Sequence, residues 1–262
     1  MTHPTSLVRG RALITGGSSG LGLEFARQLA ARGLDLVLVA RDAERLARAA
    51  QELRGSGVSV ETLPADLSDD DGVAAVAQRL GSSQSPVDVF VNNAGAGLYA
   101  KMATADASEL VAGAELMGIT PMVLGGAAAA AMKERGRGVI INTSSMSGAA
   151  PMGAYSAIKA FVRVWSDSLA IEVAPFGVQV VTFIPGWVRT EFHARTGVST
   201  SSIPDFLWLD AQRVVAECLA DADRGRTSST PSKRFKLIGF LAKHAPAGAV
   251  AVAVKKLNKG RR

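Results

Sequence analysis

One cysteine and three histidines in 262 residues leave little room for several kinds of chemistry. Cys218 has no partner for an intrachain disulfide, which points to a reducing compartment and an inert core thiol. His3, His193 and His244 are scattered along the chain, and no spacing suggests a metal site; His193 borders the expected substrate mouth or lies on the surface. Residues 1–10 lack the apolar core of a signal peptide. No uninterrupted apolar run reaches the roughly 18 residues of a transmembrane helix, so a soluble, cytoplasmic protein is expected. Acidic residues are missing altogether after Asp223. Residues 224–262 carry eleven Lys and Arg, whereas the remainder has eighteen basic against twenty-three acidic residues. The net charge of +6 therefore belongs to a tail. That tail has neither interleaved aromatics nor a docking motif, which argues against nucleic-acid binding.

What is present is an alternation of strand and helix signals. Apolar runs at 11–14, 34–40, 57–63, 87–91, 138–142 and 178–184 are separated by helical patterns at about 42–54, 69–80, 108–135 and 154–174, with another after residue 22. This rhythm predicts a single-domain α/β fold of Rossmann type, a doubly wound parallel sheet with helices on both faces. Ligands of such sheets sit at the carboxyl ends of the strands. The expected division is a dinucleotide-binding and catalytic domain over 1–230, and a basic, partly amphipathic extension over 231–262. Polar residues 196–202, bracketed by Trp187, Phe192, Phe206 and Trp208, read equally as a substrate lid (about 187–208) and as a surface loop between core aromatics.

The chain is organised around Thr15-Gly16-Gly17-Ser18-Ser19-Gly20-Leu21-Gly22, a glycine turn between the first strand and helix. Gly16 would permit the tight turn, Gly20 the close approach of a pyrophosphate, and Gly22 close helix–strand packing. The second strand ends in Ala40-Arg41, where an acid would favour NAD. Arg41 can pair with a 2′-phosphate through its planar fork, and Ser18 can add a hydroxyl, so NADP(H) is preferred and NAD(H) is second. Asp42 is read as the start of the next helix. Tyr155 and Lys159 lie four apart on one helix face. A cation about 4 Å from the phenol, at an effective dielectric of about 20, would favour phenolate by roughly 4 kcal/mol, about three pKa units before desolvation.

These pieces stand together in one order: the glycine turn, Asp66-Leu67, Asn92-Asn93-Ala94-Gly95, Ser144-Ser145, Tyr155-Ser156-Ala157-Ile158-Lys159, and Pro185-Gly186-Trp187-Val188-Arg189-Thr190. In this the chain resembles the short-chain dehydrogenase/reductase family over about 9–230. The resemblance implies nicotinamide-dependent oxidoreduction with Ser145, Tyr155 and Lys159 as the catalytic set. Tyr155 would exchange the proton, Lys159 would hold the nicotinamide ribose, and Ser145 would bind the substrate oxygen, ahead of Ser144 and Ser147. Asp66 and Leu67 would meet the adenine, Asn93 to Gly95 would run beside the cofactor, and Pro185, Gly186, Val188 and Thr190 would line its nicotinamide end. Dimers or tetramers through the helices at 108–135 and 154–174 would follow, helped by the small residues from Gly125 to Ala131.

Two departures stand out. Met117 occupies the place where the family usually has an Asn that supports a water-borne proton relay. The Met146 to Ala154 loop is also shorter than usual, which would widen the mouth for a bulky substrate. The leading expectation is an NADP(H)-dependent oxidoreductase for a hydrophobic ketone or alcohol, ketoacyl or steroid-like. The alternative is a dinucleotide-binding sensor or scaffold with impaired turnover. Residues 233–243, with basic and apolar side chains mixed, either lie on an anionic membrane or pack on the domain or a partner subunit.

Overall fold

Seven parallel strands stand in the order β3-β2-β1-β4-β5-β6-β7 in a computed structural model, which describes residues 8–191 and 204–244 together with 246, 248 and 252. The strands are β1 (Arg11–Thr15), β2 (Asp35–Ala40), β3 (Val60–Pro64), β4 (Val89–Asn92), β5 (Gly138–Thr143), β6 (Val178–Phe183) and β7 (Ser228–Ser229). Their continuous apolar runs follow from burial on both faces; Leu36 to Val39 are all buried. Helices α1 (Gly20–Ala31) and α2 (Ala43–Arg54) join the first three strands, followed by α3 (Asp70–Leu80). The chain order reverses between β1 and β4, and a crevice opens there at the strands' carboxyl ends.

The expected single helix over 108–135 is instead α4 (Ser108–Ala114), a π turn (Glu115–Ile119) and α5 (Thr120–Glu134). By length and composition this stretch could cross a membrane, yet α5 lays Leu124, Ala128, Ala129 and Met132 on the sheet. The small residues of α5 partly serve this chain itself. A Cβ at Gly125 would stand 2.4 Å from the Trp165 ring of α6 (Ala154–Val173), so the glycine admits an intrachain contact. Val111, Ile119, Val123, Phe161, Val164 and Ile171 remain exposed on the outer sides of these helices.

Two elements went unread in the sequence, α7 (Ala211–Asp223) and β7. The buried Asp221 ties them together, accepting from Ser229 Oγ at 2.8 Å and pairing with Arg226 at 2.8 Å. Cys218 on α7 is wholly buried, and desolvation pushes its thiol pKa up. Helix α8 (Lys233–His244) follows β7. Residues 192–203, with Phe192, His193 and most of the expected lid, and His3 and the terminal basic residues, lie outside the described residues.

Candidate active site

The site is assembled where β1, β4, β5 and β6 end. At the glycine turn, Gly16 has φ +68°, and its missing Cβ would touch Asn93 Nδ2 at 3.0 Å. A Cβ at Gly22 would stand 2.2 Å from the Gly16 carbonyl, so the close packing of α1 on its own turn requires glycine there. The Ser19 side chain makes no capping bond to α1, leaving first-turn N–H groups to face the crevice. Thr15, fully buried, knits β1 to β4: its hydroxyl accepts from Asn93 N at 2.9 Å and Ala94 N at 3.0 Å. Asn93 also donates to the Thr15 carbonyl at 3.1 Å. The Asn93–Gly95 segment is thereby held against the glycine turn.

Across the crevice, Thr190 lies opposite the turn, 3.6 Å from the position of a Gly20 Cβ. The segment before it is anchored by backbone bonds from Arg189 N to the Leu209 carbonyl and from Leu209 N to the Trp187 carbonyl, and Pro185 accepts from Met146 N at 2.9 Å. Glu191 pairs with Arg45 of α2 at 2.5 Å. Asp42 caps α2, its carboxylate accepting from Arg45 N at 2.9 Å, so that carboxylate is turned to the helix. Arg41 beside it is exposed. A cleft of about 410 Å³ lined by Ser18, Leu23, Arg45, Arg48, Ala49 and Glu52 adjoins this end. Arg45 and Arg48 were not singled out in the sequence, though Arg45 lies one helical turn beyond Arg41. Leu67 is buried, and the Asp66 carboxylate accepts from Ser68 N at 2.9 Å, fixing the bend after β3.

Ser145, Tyr155 and Lys159 come together at the end of β5. The Ser145 and Tyr155 hydroxyls share a hydrogen bond. Ser147 joins them, donating from its hydroxyl to Ser145 Oγ at 2.9 Å and from its N–H at 3.2 Å. Ser144, by contrast, is buried and donates to the Lys159 carbonyl at 2.7 Å, a structural bond. The short loop folds as a 3-10 turn (Met146–Ala149) pressed on α6 so closely that a Cβ at Gly148 would meet Ala160 N at 2.8 Å. Gly153, at φ +115°, starts α6.

The electrostatics differ from the expectation of a lowered phenol. Burial pushes the Tyr155 pKa well above its usual value, with the Ser145 hydrogen bond opposing and the nearby Tyr99, unremarked in the sequence, adding to the rise. Lys159 Nζ lies 5.8 Å from the Tyr155 ring centre and donates to the Thr143 carbonyl at 3.0 Å. Desolvation lowers the Lys159 pKa to about 8. In the resting site, desolvation of the phenol outweighs the Coulomb effect expected from spacing alone.

Met117 lies within the π turn, fully buried, against Gly95 and Ala96. Asn142 is wholly buried and accepts from Asn92 Nδ2 at 3.1 Å, a structural pair. Among the described residues, no group of three His, Cys, Asp or Glu is placed to hold a metal ion.

Comparison with known proteins gives this arrangement a lineage. A family profile described as short chain dehydrogenase matches residues 11–199. The ketoacyl reductase HetN of a Nostoc species is 28% identical over 230 residues, 86% of this chain and 78% of its own. A short-chain dehydrogenase from Sphingobium yanoikuyae, solved in complex with NADPH, superposes with a TM-score of 0.81 at 33% identity, covering 97% of both chains. A bulky-bulky ketone specific alcohol dehydrogenase from Comamonas testosteroni gives 0.77 at 30% identity, covering 98% of this chain and 96% of its own.

Proposed function

The chain belongs to the short-chain dehydrogenase family, and on that premise we propose that it is an NADP(H)-dependent oxidoreductase interconverting a hydrophobic ketone and its secondary alcohol. The observation that carries the reading is the Ser145–Tyr155 hydrogen bond beside Lys159, at the mouth of the crevice. A nicotinamide dinucleotide, when bound, supplies or accepts the hydride. The residues present fit that group: the uncapped first turn of α1 suits its pyrophosphate, and Thr190 faces the turn from the other wall. Gly16, Ser18, Ser19, Gly20, Leu21 and Gly22 would cradle the phosphates, with Asp66 and Leu67 at the adenine. Asn93, Ala94 and Gly95 would line its course, and Pro185, Gly186, Val188 and Thr190 its nicotinamide end.

In reduction, Ser145 orients the substrate oxygen, and Tyr155 donates the proton to that oxygen as the carbonyl becomes an alcohol. A raised phenol pKa keeps that proton in place until it is needed. Lys159, cationic below about pH 8, holds the cofactor ribose and favours the phenolate left behind. The choice of NADP(H) rests on Arg41 at the end of β2, with Asp42 committed to capping α2. The NADPH complex of the Sphingobium relative and the bulky ketone named for the Comamonas relative support both parts of this reading.

A homo-oligomer through the outer sides of α4, α5 and α6 accounts for their exposed apolar residues, and a cytoplasmic setting with peripheral membrane contact through the basic terminal region completes the reading. Met117 favours a second reading, a cofactor-binding sensor with impaired turnover. A panel of ketoacyl, steroid-like and small aliphatic ketones, followed by loss of reduced-nicotinamide absorbance with NADPH and with NADH, separates the two. Apolar ketones should be turned over with NADPH. Tight cofactor binding with no turnover across the panel would establish the sensor instead.

A further inference from the structure

Helix α8 turns its apolar residues both ways. Inward, Phe235 is buried against Trp187, with ring centres 5.9 Å apart, and Gly239 approaches Met146. Those two contacts fix the helix on the 3-10 turn that follows Ser145 and on the Gly186 segment. Leu237, Phe240 and Leu241 lie on the opposite side by helical spacing, and are 59%, 60% and 54% exposed. Lys233 and Lys236, both exposed, flank them, and the helix carries no acidic residue. A scattered surface leucine needs no explanation, but three large apolar side chains adjacent on one face do.

We propose that this outward face of α8 docks on an anionic lipid surface. The apolar side chains enter the acyl boundary while the lysines meet headgroup phosphates, the arrangement of an interfacial amphipathic helix. Charge complementarity selects this occupant over a second copy of the chain. Two α8 helices packed face to face would bring Lys233 and Lys236 of each copy together, with no carboxylate on either helix to pair with them. The eleven basic residues after Asp223, without one acid among them, extend the same attraction. Each cation near an anionic leaflet is worth about fivefold in partitioning. Resting on the reading of the site as one for hydrophobic ketones, the docking has a purpose. The helix sits on the turn after Ser145, so the rim of the site is brought to the acyl boundary, where an apolar substrate dissolves.

The test is co-sedimentation of the full chain with vesicles of phosphatidylglycerol and phosphatidylcholine in equal parts, against pure phosphatidylcholine, at low and raised salt. The expected result is partition into the anionic vesicles only, weakened by salt. The triple variant Leu237→Ser, Phe240→Ser, Leu241→Ser should partition about tenfold less or worse, and Lys233→Glu with Lys236→Glu should lose the preference for anionic lipid. Wild-type protein left in the supernatant with anionic vesicles at low salt overturns the proposal. So does a triple variant that sediments as wild type does, since the rest of the tail would then suffice. A wild type that is a larger oligomer than the triple variant by light scattering also overturns it, because a second copy then covers the face. Ketone reduction in detergent-free buffer is a separate readout: protein that sediments but reduces no ketone keeps the docking and removes the enzymatic reading.

Discussion

The backbone N–H of Ala96 donates to the Met117 sulfur at 3.4 Å. This contact fills, with a soft thioether, the space between the π turn and the Asn93–Gly95 segment beside the cofactor path. A sulfur accepts only weakly and offers no donor. Replacing it by an amide of smaller volume would leave room for a water and a donor to hold it. Met117→Asn should therefore raise the turnover number or shift its pH dependence, at a stability cost of about 1–3 kcal/mol for burying a polar group. An unchanged rate and pH profile would mean that proton delivery does not run past this position.

Tyr155→Phe removes the proton donor and nothing else of consequence for cofactor binding. Ketone reduction should fall by at least about a hundredfold, the lower end of general acid–base contributions, while the dissociation constant for NADP changes little. Titration of cofactor fluorescence checks the second half. Activity kept in this variant would remove Tyr155 from the mechanism and leave Ser145 and Ser147 to be examined.

The lowered pKa of Lys159 carries a pH signature of its own. Reduction needs Lys159 cationic and Tyr155 protonated, and both hold below about pH 8. Above that value Lys159 loses its proton first, since the phenol is shifted upward. The reductive kcat/KM should decline through about pH 8 with the slope of a single proton. For stability, the native lysine binds fewer protons than the unfolded one between about 8 and 10.4, so the contribution of this group improves as pH rises across that window. Thermal unfolding of Lys159→Met should lose that part of the pH dependence. A variant whose melting profile tracks wild type between pH 8 and 10 would show that Lys159 is not the group responsible.

The glycine turn and the Tyr155–Lys159 pair were legible as local patterns whose spacing carries their geometry, and the Asn93–Gly95 segment through the family resemblance. The parallel sheet was legible as a local pattern too, through runs such as Leu36 to Val39. Less local features were hidden. Strand β7 is two residues long and exists through pairing with β6. The π turn lies in an otherwise helical pattern, and its break signals, Gly118 within it and Pro121 just beyond, were passed over because the apolar pattern runs on through them. In α8, periodicity alone cannot choose between Phe235 and Phe240 as the buried ring; the bare backbone of Gly186, far away in the sequence, decides it. The rise of the Tyr155 pKa depends on how deeply the folded chain desolvates the phenol, which spacing along a helix does not encode.

Cofactor choice turns on the end of β2. Arg41→Ala should weaken NADP binding by roughly 1.5–3 kcal/mol, the scale of a hydrogen bond to a charged group, and leave NAD nearly untouched. Arg45 provides an internal control, because its side chain is engaged with Glu191. Equal losses for both cofactors in Arg41→Ala would show that this arginine does not read the 2′-phosphate.

Gly186 and Phe235 are coupled by contact. A Cβ on Gly186 would stand 2.3 Å from the Phe235 ring, well inside van der Waals distance, and the ring is almost wholly buried with Trp187 beside it. Gly186→Ala must therefore push the ring off its seat, at about 1–3 kcal/mol for overpacking. Phe235→Ala empties the same space from the other side, at about 3–5 kcal/mol for a buried phenylalanine. The added methyl fills part of the void that the smaller side chain leaves, so the double variant should be more stable than the sum of the two losses. A coupling of about 0.5–3 kcal/mol is expected. Denaturant unfolding of the wild type, both single variants and the double variant measures it directly. Losses that add within about 0.5 kcal/mol would mean that the ring is free to move aside, and that Gly186 is not what seats α8 beside Ser145.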